Sequence, residues 1–133
     1  MTKSIQKNTD CPCGIQQSYA QCCQPYHLWQ KNAPDAETLM RSRYSAYALK
    51  NAKYLIATWH PKTLPNQLAE YLNEAKWIEL KIEKSWPGDK ADEAYVEFTA
   101  RYRNSSGRAE KMHEISRFIK QGDHWFYVDG QVS

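Results

Sequence analysis

An α+β fold is expected from three features of this chain. Its four cysteines all fall between positions 11 and 23. Apolar residues then recur at helical spacing from Leu39 to Leu72, and from Trp77 onward the apolar period drops to two. Helices grouped ahead of strands, not alternating with them, point to hairpin-linked strands with helices segregated to one side.

The N-terminal element comes first. Cys11-Pro12-Cys13-Gly14 is followed by eight residues and then Cys22-Cys23. Four thiolates this close in sequence can surround one tetrahedral Zn²⁺ at Zn–S distances of about 2.3 Å. With sulfur in every coordination position no water binds the metal, so such a site is structural. Two disulfides or an iron–sulfur cluster are the alternatives. Disulfides belong to exported chains, whereas Met1 to Asp10 is polar and lacks the apolar core of an export signal. The one-residue gap and the adjacent pair crowd an iron–sulfur cluster. Zinc is therefore the expected cofactor, one per chain, and a cytoplasmic location is expected with it. The element spans 1–27, too short to build a core without metal. His27 is a bystander where four sulfurs already suffice.

The Cys-Pro-Cys-Gly start, the eight-residue interval, the closing Cys-Cys and Tyr19 three residues before it resemble the SEC-C zinc motif. The resemblance implies Cys11, Cys13, Cys22 and Cys23 as the metal ligands. Where that motif usually continues Gly-Ser-Gly-Lys-Lys, this chain has Gly14-Ile15-Gln16-Gln17-Ser18. The ligand positions are untouched, but the basic residues are missing.

Residues 28–34 read as a linker ending in Ala33-Pro34, and 35–133 as the main domain. Asp35 is a good N-cap for a helix running to about Leu49, with Leu39, Met40, Tyr44, Tyr47 and Ala48 on its apolar side. Asn51 caps a second helix through Tyr54, Leu55, Ile56 and Trp59, closed before Pro61. Leu64, Leu68 and Leu72 suggest a third.

Ile78, Leu80 and Ile82 then alternate with charged residues over Trp77–Glu83, the pattern of a half-buried strand. After the turn Trp86-Pro87-Gly88-Asp89, a second strand, Ala94–Arg103, sets Ala94, Val96, Phe98, Ala100 and Tyr102 on one face. Asn104-Ser105-Ser106-Gly107 turns into a third strand, Lys111–Lys120. Gln121-Gly122-Asp123 leads into a fourth, His124–Asp129. Strands this long, with aromatics on both faces, suggest a curved and mainly antiparallel sheet wrapped around about three helices.

Composition narrows the function classes. No apolar run approaches the roughly 20 residues of a membrane span. The net charge of +3 is mild and the basic residues are scattered, which disfavours a nucleic-acid footprint. Nothing matches a phosphate loop, a serine-hydrolase elbow or a metalloprotease helix.

Three stretches carry a second resemblance: Leu39-Met40-Arg41-Ser42-Arg43-Tyr44-Ser45-Ala46-Tyr47, then Thr58-Trp59-His60-Pro61, then His113-Glu114-Ile115-Ser116-Arg117-Phe118 with Trp125-Phe126-Tyr127-Val128-Asp129-Gly130. Together they are similar to the bacterial YchJ-type family of uncharacterised proteins. The resemblance implies a cone of the nuclear transport factor type over 35–133.

Several side chains in the cone could carry chemistry. His60, at a helix end, is a candidate general base or a partner for the last carbonyls of its helix. Arg41 and Arg43 lie on different faces of their helix. One is expected in solvent and the other buried, paired with Glu97, Glu114 or Asp129. His113, Ile115 and Arg117 share a strand face, and with Arg101 from the neighbouring strand they form the candidate ligand pocket, suited to a small anion. That pocket depends on strand register, since a slip of one residue puts Glu114 and Ser116 inside instead.

The expected role is a zinc-binding, non-catalytic adaptor that meets a partner protein through the knuckle or the cone. Binding or transformation of a small molecule in the cone is the alternative, and an RNA- or ribosome-associated factor is the third reading. A cone plugged by aromatics favours the adaptor. A cavity holding two or more polar side chains favours the small molecule.

Overall fold

The computed structural model describes residues 10–68, 72 and 74–133. Helix α1, Gln24–His27, follows a 3₁₀ turn at Tyr19–Gln21; α2 covers Ala36–Ala48 and α3 Ala52–Ala57. Strands β1, Lys76–Pro87, β2, Glu93–Arg103, β3, Ala109–Gln121, and β4, His124–Val132, form one sheet in the order β1-β2-β3-β4. Every pairing is antiparallel. Among the described residues no helix is long and apolar enough to cross a membrane.

Both expected caps form. The Asp35 carboxylate accepts from the Thr38 amide at 2.8 Å and the Asn51 side chain from the Tyr54 amide at 3.1 Å. Each satisfies an amide that the first helical turn cannot pair internally. α3 ends two residues before Trp59, earlier than the proline alone requires. Its exit segment instead pairs along β4: the Tyr127 amide donates to the Thr58 carbonyl and the His60 amide to the Tyr127 carbonyl. A backbone committed to a sheet edge cannot continue a helix. Of the third helix expected over Leu64, Leu68 and Leu72, residues 69–71 lie outside the described residues, and Leu64 and Pro65 are not helical. Leu68 and Leu72 themselves are buried in the core.

The helices cover the inner face of the sheet, where Leu39, Tyr44 and Leu55 meet Val96, Phe98, Ala100 and Phe118. β1 departs from simple alternation. Trp77 pairs with Tyr102 and Leu80 with Ala100, with a register shift between Trp77 and Glu79. The extra residue lets Trp77 and Leu80 both face the core and leaves Ile78 48% exposed, whereas strict alternation would have buried Ile78.

Pairing of β2 with β3 decides what the cone contains. Val96 faces Ser116, Phe98 faces Glu114 and Ala100 faces Met112. Directly opposed residues in an antiparallel pair share a face, and the β2 residues here are apolar and buried. Glu114, Ser116 and Phe118 are therefore inside the cone, at 7%, 0% and 0% exposure.

Candidate metal centre and cone cavity

Gly14 adopts φ +97°, a left-handed conformation that disfavours any side chain, and so turns the chain just after Cys13. The Cys11 amide donates to the Gln17 carbonyl and the Cys22 amide to Tyr19, which brings the two cysteine pairs together. The four sulfurs lie within 4.8 Å of one another. Four ligands about 2.3 Å from a tetrahedral centre stand about 3.8 Å apart. Cys13 and Cys22 are 3.6 Å apart and Cys22 and Cys23 are 4.0 Å apart. These spacings fit a shared ion and are far beyond the disulfide bond length of about 2.05 Å; all four thiols are free.

The bare thiols are electrostatically mismatched. Hydrogen bonds from Cys13 and Cys23 hold Cys11 well below the usual thiol range. Burial and the sulfurs of Cys11 and Cys13 push Cys22 up to about 12. Hydrogen bonding with those same two sulfurs, then burial, pushes Cys23 up as well. A divalent cation at the centre would favour the thiolate form of all four.

The cluster is fastened to α2. Cys11 Sγ is 3.4 Å from Ser45 Oγ, and Arg41 Nη1 donates to the Cys13 carbonyl at 3.1 Å. Arg41, the more exposed of the two helix arginines, is also paired with Glu37 at 3.5 Å. His27 is buried: its Nε2 donates to the Ser42 carbonyl at 2.8 Å, so Nδ1 accepts from the Tyr19 hydroxyl at 2.6 Å. It is thus a clamp between knuckle and helix and lies outside the four-sulfur cluster.

The second site is inside the cone, a cavity of about 180 Å³. Tyr44, Tyr47, Trp77, Phe98, Met40 and Met112 form much of its wall, and Arg43, Glu114, Ser116 and Tyr127 give it polar groups. Arg43, the buried arginine of α2, has no carboxylate within ion-pairing distance among the described residues. Its Nη1 donates to the Leu55 carbonyl at 3.1 Å and to Thr58 Oγ1 at 2.7 Å. The guanidinium carbon lies 5.0 Å from the Trp59 ring centre and 4.7 Å from that of Tyr127. Burial lowers its pKa from the ordinary arginine value, and two ring faces with two oxygen acceptors offset that cost.

Glu114 receives hydrogen bonds from Ser116 Oγ and, at 3.0 Å, from the Tyr127 hydroxyl, both on Oε2. Burial, and next the Glu114 charge, raise the Tyr127 phenol above its usual range, so this hydroxyl stays a donor. Gly130 lies opposite Ser116, and a Cβ built on it would overlap the Glu114 carboxylate. Only a glycine there leaves room for the carboxylate in this position.

The residues expected to line an anion pocket are on the other side of the sheet. His113 Nε2 contacts Glu97 at 2.7 Å, Arg117 pairs with Glu93 at 3.4 Å and Asp129 at 3.3 Å, and Arg101 pairs with Glu79 at 3.7 Å. Arg101, His113 and Arg117 therefore form outer-face cross-strand pairs, not one site within the cone. The pocket drawn from them is corrected to the Arg43–Glu114 cavity. The physical reason is the apolar inner face of β2, which carries the even-numbered residues of β3 inward with it. His60 is elsewhere again. Its Nδ1 accepts from the Lys62 amide at 3.1 Å, so it binds neither the last helical carbonyls nor the cone cavity.

Of the cavity's polar groups, Tyr127 had no assigned role in the sequence, nor did Gly130 beneath Glu114, and Ser116 entered only as an interior residue of the slipped register. The signal available for them was the apolar side of Ala94–Arg103, whose partners across the pairing they are or adjoin.

Comparison with known proteins places these features in a family. The family model described as YchJ, middle NTF2-like domain, matches residues 35–130. The chain is similar to a UPF0225 protein of Bordetella pertussis, 45% identical over 134 residues, with 99% of each chain covered. It is also similar to the solution structure of a SEC-C motif containing protein from Rhodopseudomonas palustris, with TM-score 0.81, 33% identity and coverage of 92% of this chain and 97% of that one. A crystal structure of a SEC-C motif containing protein from Psychrobacter arcticus matches with TM-score 0.78, 30% identity and coverage of 97% and 85%.

Proposed function

We propose that this chain, which belongs to the UPF0225 family of YchJ-like proteins, is a zinc-binding protein whose metal is structural and whose cone binds a small molecule. Cys11, Cys13, Cys22 and Cys23 would hold the zinc. Four sulfurs fill its coordination sphere, so the ion orders the chain and activates no water. Its effect is local: it fixes the knuckle against α2 through Ser45 and Arg41.

The observation that carries the small-molecule reading is the cone cavity itself. An aromatic cone filled by its own side chains would suit an inert scaffold. This one keeps about 180 Å³ lined by Arg43 and Glu114, two ionisable groups with low exposure. Concave, mostly apolar space with a few convergent polar groups is the usual form of a ligand site.

The adaptor role is the second reading, favoured by Leu28 and Trp29 directly after the knuckle. They are 56% and 50% exposed, and Trp29 adopts φ +62°, costly for a bulky residue. One experiment separates the two. Small ring compounds are titrated into the zinc-loaded protein while side-chain NMR signals are followed. Shifts at Met40, Met112 and Trp77 support the cone site. Unmoved cone signals at all concentrations would reject it in favour of the adaptor.

A further inference from the structure

We infer that the cone cavity selects an uncharged, single-ring molecule bearing a hydroxyl or N–H donor, with Glu114 as its recognition group. This rests on the reading of the cone as a small-molecule site and adds the ligand class.

Size sets the first limit. An apolar cavity of about 150 Å³ takes up benzene, so 180 Å³ accommodates one ring with a polar substituent and excludes a nucleotide or a fused polycycle. The walls agree, because the rings of Tyr44, Tyr47, Trp77 and Phe98 offer faces and edges to an aromatic guest.

Charge sets the second limit. Arg43 and Glu114 line the same space and their formal charges cancel. An anion entering would meet the Glu114 carboxylate, and a cation would meet Arg43. Either would leave water for a site of low dielectric constant without a net opposite charge. The basic trio that would have favoured an anion faces the other way.

Hydrogen-bonding capacity sets the third. Ser116 and Tyr127 both donate to Glu114 Oε2, while Oε1 accepts no hydrogen bond among the described residues. Arg43 Nη1 is already committed to Leu55 and Thr58. Oε1 thus calls for a donor, which a phenol-type hydroxyl or a ring N–H supplies, while Arg43 Nε and Nη2, which donate no hydrogen bond among the described residues, leave a hydroxyl oxygen room to accept as well. Gly130 is the positioning residue, since any larger side chain there displaces the carboxylate.

The test uses the full-length, zinc-loaded chain and four probes: phenol, toluene, benzoate and benzylamine. The readout is the methyl NMR signals of the three methionines, two of which, Met40 and Met112, line the cavity while Met1 lies at the chain's start. Phenol is expected to shift Met40 and Met112 but not Met1, with toluene, benzoate and benzylamine at least about tenfold weaker, the scale of one hydrogen bond to a charged acceptor. Glu114→Gln should weaken phenol binding by about as much with zinc content unchanged. If that variant fails to fold, Gly130→Ala, which moves the carboxylate without removing it, should have the same effect. Toluene binding as tightly as phenol would overturn the donor requirement while leaving the cavity reading intact. Benzoate or benzylamine binding as tightly as phenol would overturn the charge argument. Phenol affinity unchanged in both variants would remove Glu114 from the site. No shift of either methyl with any probe would reject the ligand class and the cavity reading together.

Discussion

Cys11 Sγ stands 3.4 Å from Ser45 Oγ, in the last turn of the helix that lines the cone. The cysteine knuckle and the cone therefore share a polar contact, reinforced by His27 on Ser42 and Arg41 on Cys13. A knuckle dangling from a linker would have no such contacts.

Metal removal should accordingly be felt beyond residue 27. One equivalent of zinc is expected on metal analysis of the purified protein. Chelation should shift the amide signals of Ser42 and Ser45 as well as those of residues 10–27, because the thiolates that orient the Cys11 and Cys13 loop lose their anchor. Changes confined to residues before Leu28 would show that the contacts with α2 carry no coupling.

His27 gives a pH signature. Burial lowers its pKa from 6.5, and the carbonyl of Ser42 opposes that shift only in part. The folded protein therefore binds fewer protons at this site than the unfolded chain at mildly acidic pH. Its contribution to stability is complete above about pH 6.5 and is lost as pH falls from there toward the folded-state value. An NMR titration should place the His27 midpoint below 6.5. Denaturant curves of His27→Gln should lack that part of the acid-side decline.

Arg43 should be among the most sensitive positions of the cone. Arg43→Met keeps much of the volume but leaves the Leu55 carbonyl and Thr58 hydroxyl without their donor and removes the charge from between Trp59 and Tyr127. A loss of about 2–4 kcal/mol is expected from urea unfolding. A loss below about 0.5 kcal/mol would mean that desolvation of the guanidinium cancels everything it gains.

The outer-face pairs should behave oppositely. Arg117→Ala breaks contacts with Glu93 and Asp129 on a partly exposed strand face. Such pairs contribute about 0–1 kcal/mol and weaken with salt. Stability should change by no more than that, and the Met40 and Met112 methyl signals should keep their positions. Displaced methyl signals would reconnect Arg117 to the cone.

Several features were legible in the residues alone, for reasons that are local. Four cysteines within thirteen positions, with a glycine where the turn needs φ +97°, can only be drawn together. Asp35 and Asn51 cap their helices because a side-chain acceptor three residues before an unpaired amide works in any context. The meander of β1 to β4 follows from alternating segments separated by short turns.

The contents of the cone were not legible in that way. β3 sets Ile115 and Ile119 on one side and Met112 and Phe118 on the other, with ionisable residues on both, so its own pattern has no dominant apolar face. Its orientation comes from β2. The connection from Arg103 to Ala109 has five residues, and that length pairs Phe98 with Glu114. One residue fewer would have turned His113 and Arg117 inward, because side chains in a strand alternate with period two. The bulge at Ile78 and the Gly130–Glu114 fit are of the same kind. The sequence by itself determined the four-cysteine cluster, the caps and the order of elements, each set by neighbours along the chain. Only the tertiary structure decided that a carboxylate and one stacked arginine share the cavity, because pairing between strands chose the face.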